Sequence, residues 1–296
     1  MYEGIRSPAV HMPKTLGELV SIATRFPNAI FWAGGTYLMS RENFYPAGDS
    51  SDIIYIGHIP ELKRINRTDK YLVIGSAVTF EQLLAVGKQV IPSILQKTLE
   101  QTGTRIIRKQ ITVGGSLCCK GTRFSLSAAL AALQAEAEVR TFRGIRSETR
   151  WVDIKTIYDR QGNLLLKNNQ FILKVRIGLE RENFSFFLRA GSPLATPKES
   201  VMIAFACYHS QSVITKFNMC IIFPQSLYYI PQEVDLMMQG SMLPLSSQQI
   251  ERSVRSVVDQ ITLICGKSAS PIQIERSKRF VEAALHELNS RSLLQL

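Results

Sequence analysis

Cysteine is scarce in this 296-residue sequence and unpatterned where it occurs. The five thiols, Cys118, Cys119, Cys207, Cys220 and Cys265, are odd in number, with no CxxC spacing and no histidine at ligand distance. That excludes a disulfide framework and an iron–sulfur cluster held by this chain alone. They read as reduced, mostly buried thiols, the adjacent Cys118-Cys119 pair serving as small apolar filler. Missing too are the GxxxxGK[ST] loop of triphosphate binders, the GxGxxG turn of Rossmann units, the HExxH helix and any catalytic triad. No apolar run approaches the ~18 residues that cross a bilayer, and the N-terminus has no apolar signal core. No membrane association is expected, and the location is expected to be cytoplasmic.

Acidic residues are outnumbered, 24 against 35 Lys and Arg, leaving a net charge of +11. The basic residues are scattered rather than gathered into a stripe with interleaved aromatics, which argues against nucleic acid. Their one cluster, Arg105, Arg108, Lys109, Lys120 and Arg123, brackets a glycine pair and suits a diphosphate or an acidic partner. With 45% hydrophobic and 20% charged residues, the chain has enough apolar content for a substantial core and two or three domains.

What the sequence does contain is two paired-glycine segments. Ile30-Phe31-Trp32-Ala33-Gly34-Gly35-Thr36-Tyr37-Leu38 reads as a short apolar strand entering a glycine turn, and Thr112-Val113-Gly114-Gly115-Ser116-Leu117 repeats the logic. Adjacent glycines followed by a hydroxyl residue let backbone N–H groups close on an anion without Cβ interference. Two such cradles in one chain favour a dinucleotide gripped from both sides. A branched side chain at Gly35 or Gly115 is therefore expected to block the anion while leaving the fold largely intact.

The remaining pattern alternates helix and strand. Thr15 caps a helix over residues 16–25, Thr79-Phe80-Glu81-Gln82 is a capping box, and residues 91–102 form a second helix closed by Gly103. Strands are expected over residues 29–32, 52–56, 71–76 and 171–179, with a hairpin at 137–152 turning at Gly144. Beyond residue 184 the expectation is strands at 184–189, 201–208 and 213–222, then helices at 233–238, 247–264 and 268–288.

The segment Ala33 to Leu38 is similar to the AGGTxL loop, and Thr112 to Ser116 to the TxGGN loop, of the FAD-binding subunits of molybdenum hydroxylases, a family that includes xanthine dehydrogenase and carbon monoxide dehydrogenase. Ile74-Gly75-Ser76-Ala77-Val78-Thr79 with Leu83 resembles that family's IGAxxTxxxL. The stretch from Gly114 to Leu133 resembles its GGNLxxADPxxDxxxALLAL, with Ser116 for asparagine, Lys120-Gly121-Thr122 for Ala-Asp-Pro and Ser125 for a flavin-binding aspartate. Tyr37 likewise stands for a common acidic residue.

The resemblance implies an α+β chain: a two-subdomain FAD-binding fold of the vanillyl-alcohol-oxidase/PCMH type over residues 1–60 and 61–182, then an α+β C-terminal domain over 183–296 built on a three-stranded antiparallel sheet with helices. It implies FAD held by Phe31, Trp32, Ala33, Gly34, Gly35, Thr36, Tyr37, Leu38, Thr112, Gly114, Gly115, Ser116, Ser125 and Arg189, the last a basic residue near the flavin. The implied function is an electron-transfer flavoprotein oxidoreductase subunit in a hetero-oligomer. Electrons would pass from an iron–sulfur subunit, fed by a molybdopterin subunit, through FAD to NAD or another acceptor. A scaffold subunit that has lost FAD and a stand-alone flavin reductase of the same fold are the alternatives.

Overall fold

A computed structural model of the chain describes residues 9–40, 52–119, 125–143, 146–193 and 195–293. Lys120, Gly121, Thr122 and Arg123 and the Gly144 turn lie outside the described residues. The N-terminal layer holds β1 (Val10–His11), α1 (Leu16–Arg25), β2 (Ile30–Trp32) and β3 (Ile53–Tyr55) in a parallel sheet of order β1-β3-β2. Strands that run parallel cannot be joined by a tight hairpin, and α1 makes the connection from β1 to β2, which flank β3 on its two sides. The Thr15 hydroxyl accepts the Glu18 N–H at 3.2 Å, starting α1 where its sequence predicts, and Leu19 and Ala23 face the core. The first glycine pair leaves the C-terminal end of β2.

The second layer begins with β4 (Ile65–Arg67) and β5 (Tyr71–Gly75), followed by a run of helices: α2 (Phe80–Ala85), α3 (Ser93–Glu100), α4 (Arg105–Arg108), α5 (Val113–Leu117) and α6 (Ser125–Ala132). The chain then makes β6 (Glu136–Arg143), β7 (Arg146–Asp153) and β8 (Gln170–Gly178), giving an antiparallel sheet of order β4-β5-β8-β6-β7. Thr79 and Gln82 form the expected reciprocal capping box of α2. The second glycine pair differs from expectation. It lies inside the short helix α5 rather than in a turn after a strand, because the Thr112 side chain caps Gly115 N–H and starts a helix there.

The third layer contains β9 (Phe184–Ala190), β10 (Val201–Ser210), β11 (Val213–Phe223) and β12 (Leu227–Tyr229), then α7 (Gln232–Met238), α8 (Ser247–Cys265) and α9 (Pro271–Leu293). Its antiparallel sheet, of order β12-β11-β10-β9, has three long strands and a three-residue fourth at one edge. No helix among the described residues is long and apolar enough to cross a membrane.

Helix α6 joins the second and third layers. Every residue of Ser125–Ala132 is buried, in one core with Ala137 and Val175 of the second sheet and Met202, Ala204 and Ala206 of β10. A helix apolar on all sides must be enclosed, and its alanines let both sheets approach closely. The opposite face of the third sheet packs under α7, α8 and α9.

Helix α7 is pinned by a partly buried carboxylate: Asp235 Oδ1 accepts the Met219 N–H of β11 at 3.2 Å. Burial pushes its pKa up from 3.8 to about 7, against the opposing pull of Lys155. A raised pKa means the folded state holds the proton more tightly, so Asp235 contributes most stability below its unfolded value and loses it as pH rises toward about 7. Asp235→Asn keeps an acceptor for Met219 and removes the titration. Urea melts of the variant should show a smaller decline in stability across that pH window than the wild type.

Candidate cofactor site

The three layers meet at a cavity of about 670 Å³, within the usual size range of cofactor and ligand pockets. From β2 and the loop after it come Phe31, Ala33, Gly34, Gly35, Thr36, Tyr37 and Leu38; from the second glycine segment, Thr112, Gly115 and Ser116; from the start of α6, Ser125; from β9, Arg189. Trp32 and Gly114, expected at the site, do not line it. Both stand behind it as packing residues.

The glycines divide into two roles. A Cβ at Gly34 would overlap the Gln110 carbonyl outright, and one at Gly114 would sit 2.6 Å from the Ser76 Cβ. These first members of each pair let two backbones touch. Both second members line the cavity, as Gly34 does too. Gly35 has φ +70, and a Cβ there would collide with the Trp32 indole, so the expectation that a branched residue leaves the fold intact does not hold at Gly35. At Gly115 a Cβ would meet only the Thr112 hydroxyl, 2.7 Å away.

Backbone donors divide differently. In the second segment they are committed to protein: Val113 N–H to Val78, Gly114 N–H to Ser76 and Ser116 N–H to Thr112 carbonyls, at 2.8–2.9 Å, and Gly115 N–H to the Thr112 hydroxyl at 3.2 Å. The cradle expected there is thus closed by local capping. In the first segment the N–H groups of Gly34, Gly35 and Thr36 have no acceptor among the described residues. Uncommitted backbone donors are therefore found in the first loop, while the second contributes side chains to the cavity lining.

One wall carries Thr102 and Gly103, which follow the C-terminal end of α3. Arg108 donates to the Glu100 and Gly103 carbonyls at 3.1 and 2.9 Å, and Arg189 to Gln101 at 2.8 Å. Two guanidinium groups thus neutralise a helix end that would otherwise repel an anionic ligand. Glu81 holds α4 to α2 through Arg105 at 2.7 Å and Arg108 at 3.4 Å. The Arg105 hydrogen bond, the largest cause, keeps the Glu81 carboxyl below its ordinary range. Tyr158 fixes α5 from behind, its hydroxyl donating to the Leu117 carbonyl at 2.7 Å.

Several cavity residues had no sequence reading as site residues: Thr102, Gly103, Ile107, Gln110, Ser192 and Pro193. Gly103 was legible as a helix terminator, whereas nothing local distinguishes the Ser192-Pro193 turn as a wall. Cys118 also lines the cavity and is exposed, while Cys119, Cys207, Cys220 and Cys265 are buried as expected.

A mixed α/β fold closing around a cofactor-sized cavity, with free N–H groups at a glycine turn, defines a cofactor-binding protein. The particular family follows from comparison: the description "FAD binding domain in molybdopterin dehydrogenase" matches residues 4–179, more than half of the chain, which belongs to that family. FAD is accordingly its cofactor. Quinoline 2-oxidoreductase from Pseudomonas putida 86 superposes with a TM-score of 0.77 at 15% identity, over 96% of this chain and 97% of that one. Reconstituted CO dehydrogenase from Oligotropha carboxidovorans superposes at 0.79 and 16% identity, over 98% of this chain and 100% of that one. Carbon monoxide dehydrogenase from Hydrogenophaga pseudoflava gives 0.76 at 16% identity, over 96% and 97%. At such identities the likeness establishes the fold, α+β as expected, over at least 96% of the chain. No curated protein matches the chain at a significant level.

The unequal glycines make a sharp comparison. Gly34→Ala should lose both flavin binding and stability, because the Gln110 contact has to open. Gly115→Ala should keep its fold within about 1 kcal/mol, the worth of the Thr112 cap, while weakening FAD binding. Urea denaturation and fluorescence titration with FAD check both. Wild-type FAD affinity in Gly115→Ala would show that this glycine does not face the cofactor.

Proposed function

We propose that this chain is the electron-transfer flavoprotein subunit of a molybdopterin-dependent hydroxylase or dehydrogenase. The observation that carries the reading is the character of the cavity: a glycine turn with free N–H donors at one place, a single arginine at another, and otherwise uncharged walls among the described residues. The family match supplies the cofactor identity.

Bound FAD supplies the redox chemistry, taking electrons from an iron–sulfur centre and passing them to NAD or another acceptor. The chain's residues hold and orient it. Gly34, Gly35 and Thr36 would hold the diphosphate through backbone N–H groups, with the Thr36 and Ser116 hydroxyls as further polar groups of the cavity lining. Gly115 leaves room for close approach, and Ser125 contributes a hydroxyl from the start of α6. Ile107, Leu126 and Pro193 would offer apolar surface to the ring.

The partners in this reading are an iron–sulfur subunit and a molybdopterin subunit in a hetero-oligomer working in the cytoplasm. Helix α4 supports a docking surface beside the cavity: Arg105, Ile106 and Lys109 are exposed, and Ile106 is 74% accessible. An apolar tip ringed by basic residues suits an acidic small redox protein, complementary charge speeding encounter more than it fixes affinity.

Purification from the native source, followed by mass spectrometry, metal analysis and an absorption spectrum, tests the reading. The expected result is one FAD per chain together with iron–sulfur and molybdopterin chains in the same complex. Recovery as a free monomer that turns over a small organic substrate unaided would overturn the subunit role and favour the stand-alone flavin reductase.

A further inference from the structure

Strands β9 and β10 pair from Phe184 with Cys207 to Ala190 with Val201, and the chain between them, residues 191–200, is longer than the about two to five residues that usually close a hairpin. One limb of this loop is a wall of the cavity, formed by Ser192 and Pro193. The other limb is bound to the start of α9. Four successive loop carbonyls accept hydrogen bonds from there: Pro197 and Ser200 from the Gln273 amide at 3.1 and 3.2 Å, Lys198 from the Ser270 hydroxyl and Glu199 from Arg276. Gln273 is the centre of the arrangement and is 1% exposed.

The two limbs are tied together. The Ser192 N–H donates to the Thr196 hydroxyl at 3.2 Å, the Thr196 N–H returns to the Ser192 carbonyl at 3.0 Å, and the Glu199 N–H reaches the Thr196 carbonyl at 3.0 Å. At the base of the loop Gly191, at φ +77, lies so close to Ser200 that a Cβ would stand 2.9 Å from its Cα. A displacement of residues 197–200 therefore reaches Ser192 through a continuous run of hydrogen bonds. We infer, resting on the FAD reading above, that Gln273 is a positioning residue for the bound cofactor: by clamping residues 197–200 to α9 it holds the Ser192-Pro193 wall in place and slows the cofactor's escape.

The choice of an amide at this position separates the clamp from a simple helix cap. Gln273 Oε1 accepts the Ser270 N–H at 3.0 Å, and the Gln273 N–H donates to the Ser270 hydroxyl at 3.2 Å, the reciprocal pair of a capping box. Glutamate serves that box as well as glutamine does, because the box uses only an acceptor oxygen. An ionised carboxylate has no hydrogen to donate, so it cannot hold the Pro197 and Ser200 carbonyls. The Nε2 half of the side chain is thus spent on the loop alone, and the helix cap does not require it.

The test is the rate at which the FAD-loaded chain releases its flavin on dilution, followed by flavin fluorescence, with amide hydrogen exchange of residues 191–200 measured alongside, on wild type, Gln273→Glu, Arg276→Met and Val257→Ala. Gln273→Glu should release FAD about tenfold faster or more, because loss of a pre-organised wall shows mainly in the dissociation rate. Its Ser192 and Thr196 amides should also exchange faster than in wild type. Val257→Ala thins the core of the third layer and touches none of these hydrogen bonds, so it should lower the urea midpoint and leave release at the wild-type rate. A Gln273→Glu chain that is less stable but matches wild type in release and exchange would reduce Gln273 to a helix cap and overturn the inference. Release accelerated as much in Val257→Ala as in Gln273→Glu would overturn it too. If Gln273→Glu does not fold, Arg276→Met, which gives up the contact with Glu199, decides: faster release and exchange support the clamp, and wild-type values overturn it. Wild-type protein that takes up no FAD would instead overturn the cofactor reading; exchange of residues 191–200 then still decides the clamp, and unchanged exchange in Gln273→Glu overturns it.

Discussion

The contact of Gly34 with the Gln110 carbonyl is the constraint on which the site depends. These residues lie on different layers, and they touch because Gly34 has no Cβ to hold the backbones apart. That contact sets the first glycine loop, which leaves β2, against the segment entering α5. Gly114 repeats the device one step further on, lying on Ser76 while its N–H donates to the Ser76 carbonyl at 2.8 Å. The cavity is thus the space left between two backbones brought to van der Waals contact. Any side chain at either point changes its shape before it touches a ligand.

Helix α6 imposes the second constraint. Its alanines are small enough to let the second and third sheets share one core, and burial of apolar surface on every side stabilises that junction. Because α6 begins at Ser125 and β10 carries Met202 opposite Arg189, the same packing that joins the layers fixes the corner holding the cavity's charge. Fold stability and site geometry therefore rest on the same residues.

Electrostatics in the cavity follow from two opposed tendencies. The C-terminal end of α3 presents carbonyl groups, which disfavour an anion, and Arg108 and Arg189 cover them. Arg108 is also tied to Glu81 and spends its charge within the protein, whereas Arg189 has no such partner among the described residues. With the second segment capped, the uncommitted backbone donors of the two belong to the first loop. The two loops look alike in sequence and do different work.

Much of the fold was legible locally. The Thr15 cap, the Thr79 capping box, helix α1 at its observed bounds and the long strands of the third sheet all follow from signals a few residues apart. Strands β1, β4 and β12 were not read from the sequence. Sequence alone also picked out Gly34 and Gly35, Gly114 and Gly115 as residues of interest, and the family resemblance added Ser125 and Arg189. It could not say that Gly114 is spent on Ser76, that Thr112 uses up the second loop's donors, or that Trp32 supports Gly35 from outside the cavity. Each of those facts depends on what lies opposite across the fold, and pairing between distant segments is decided by packing of the whole chain. Local propensity carries no record of it.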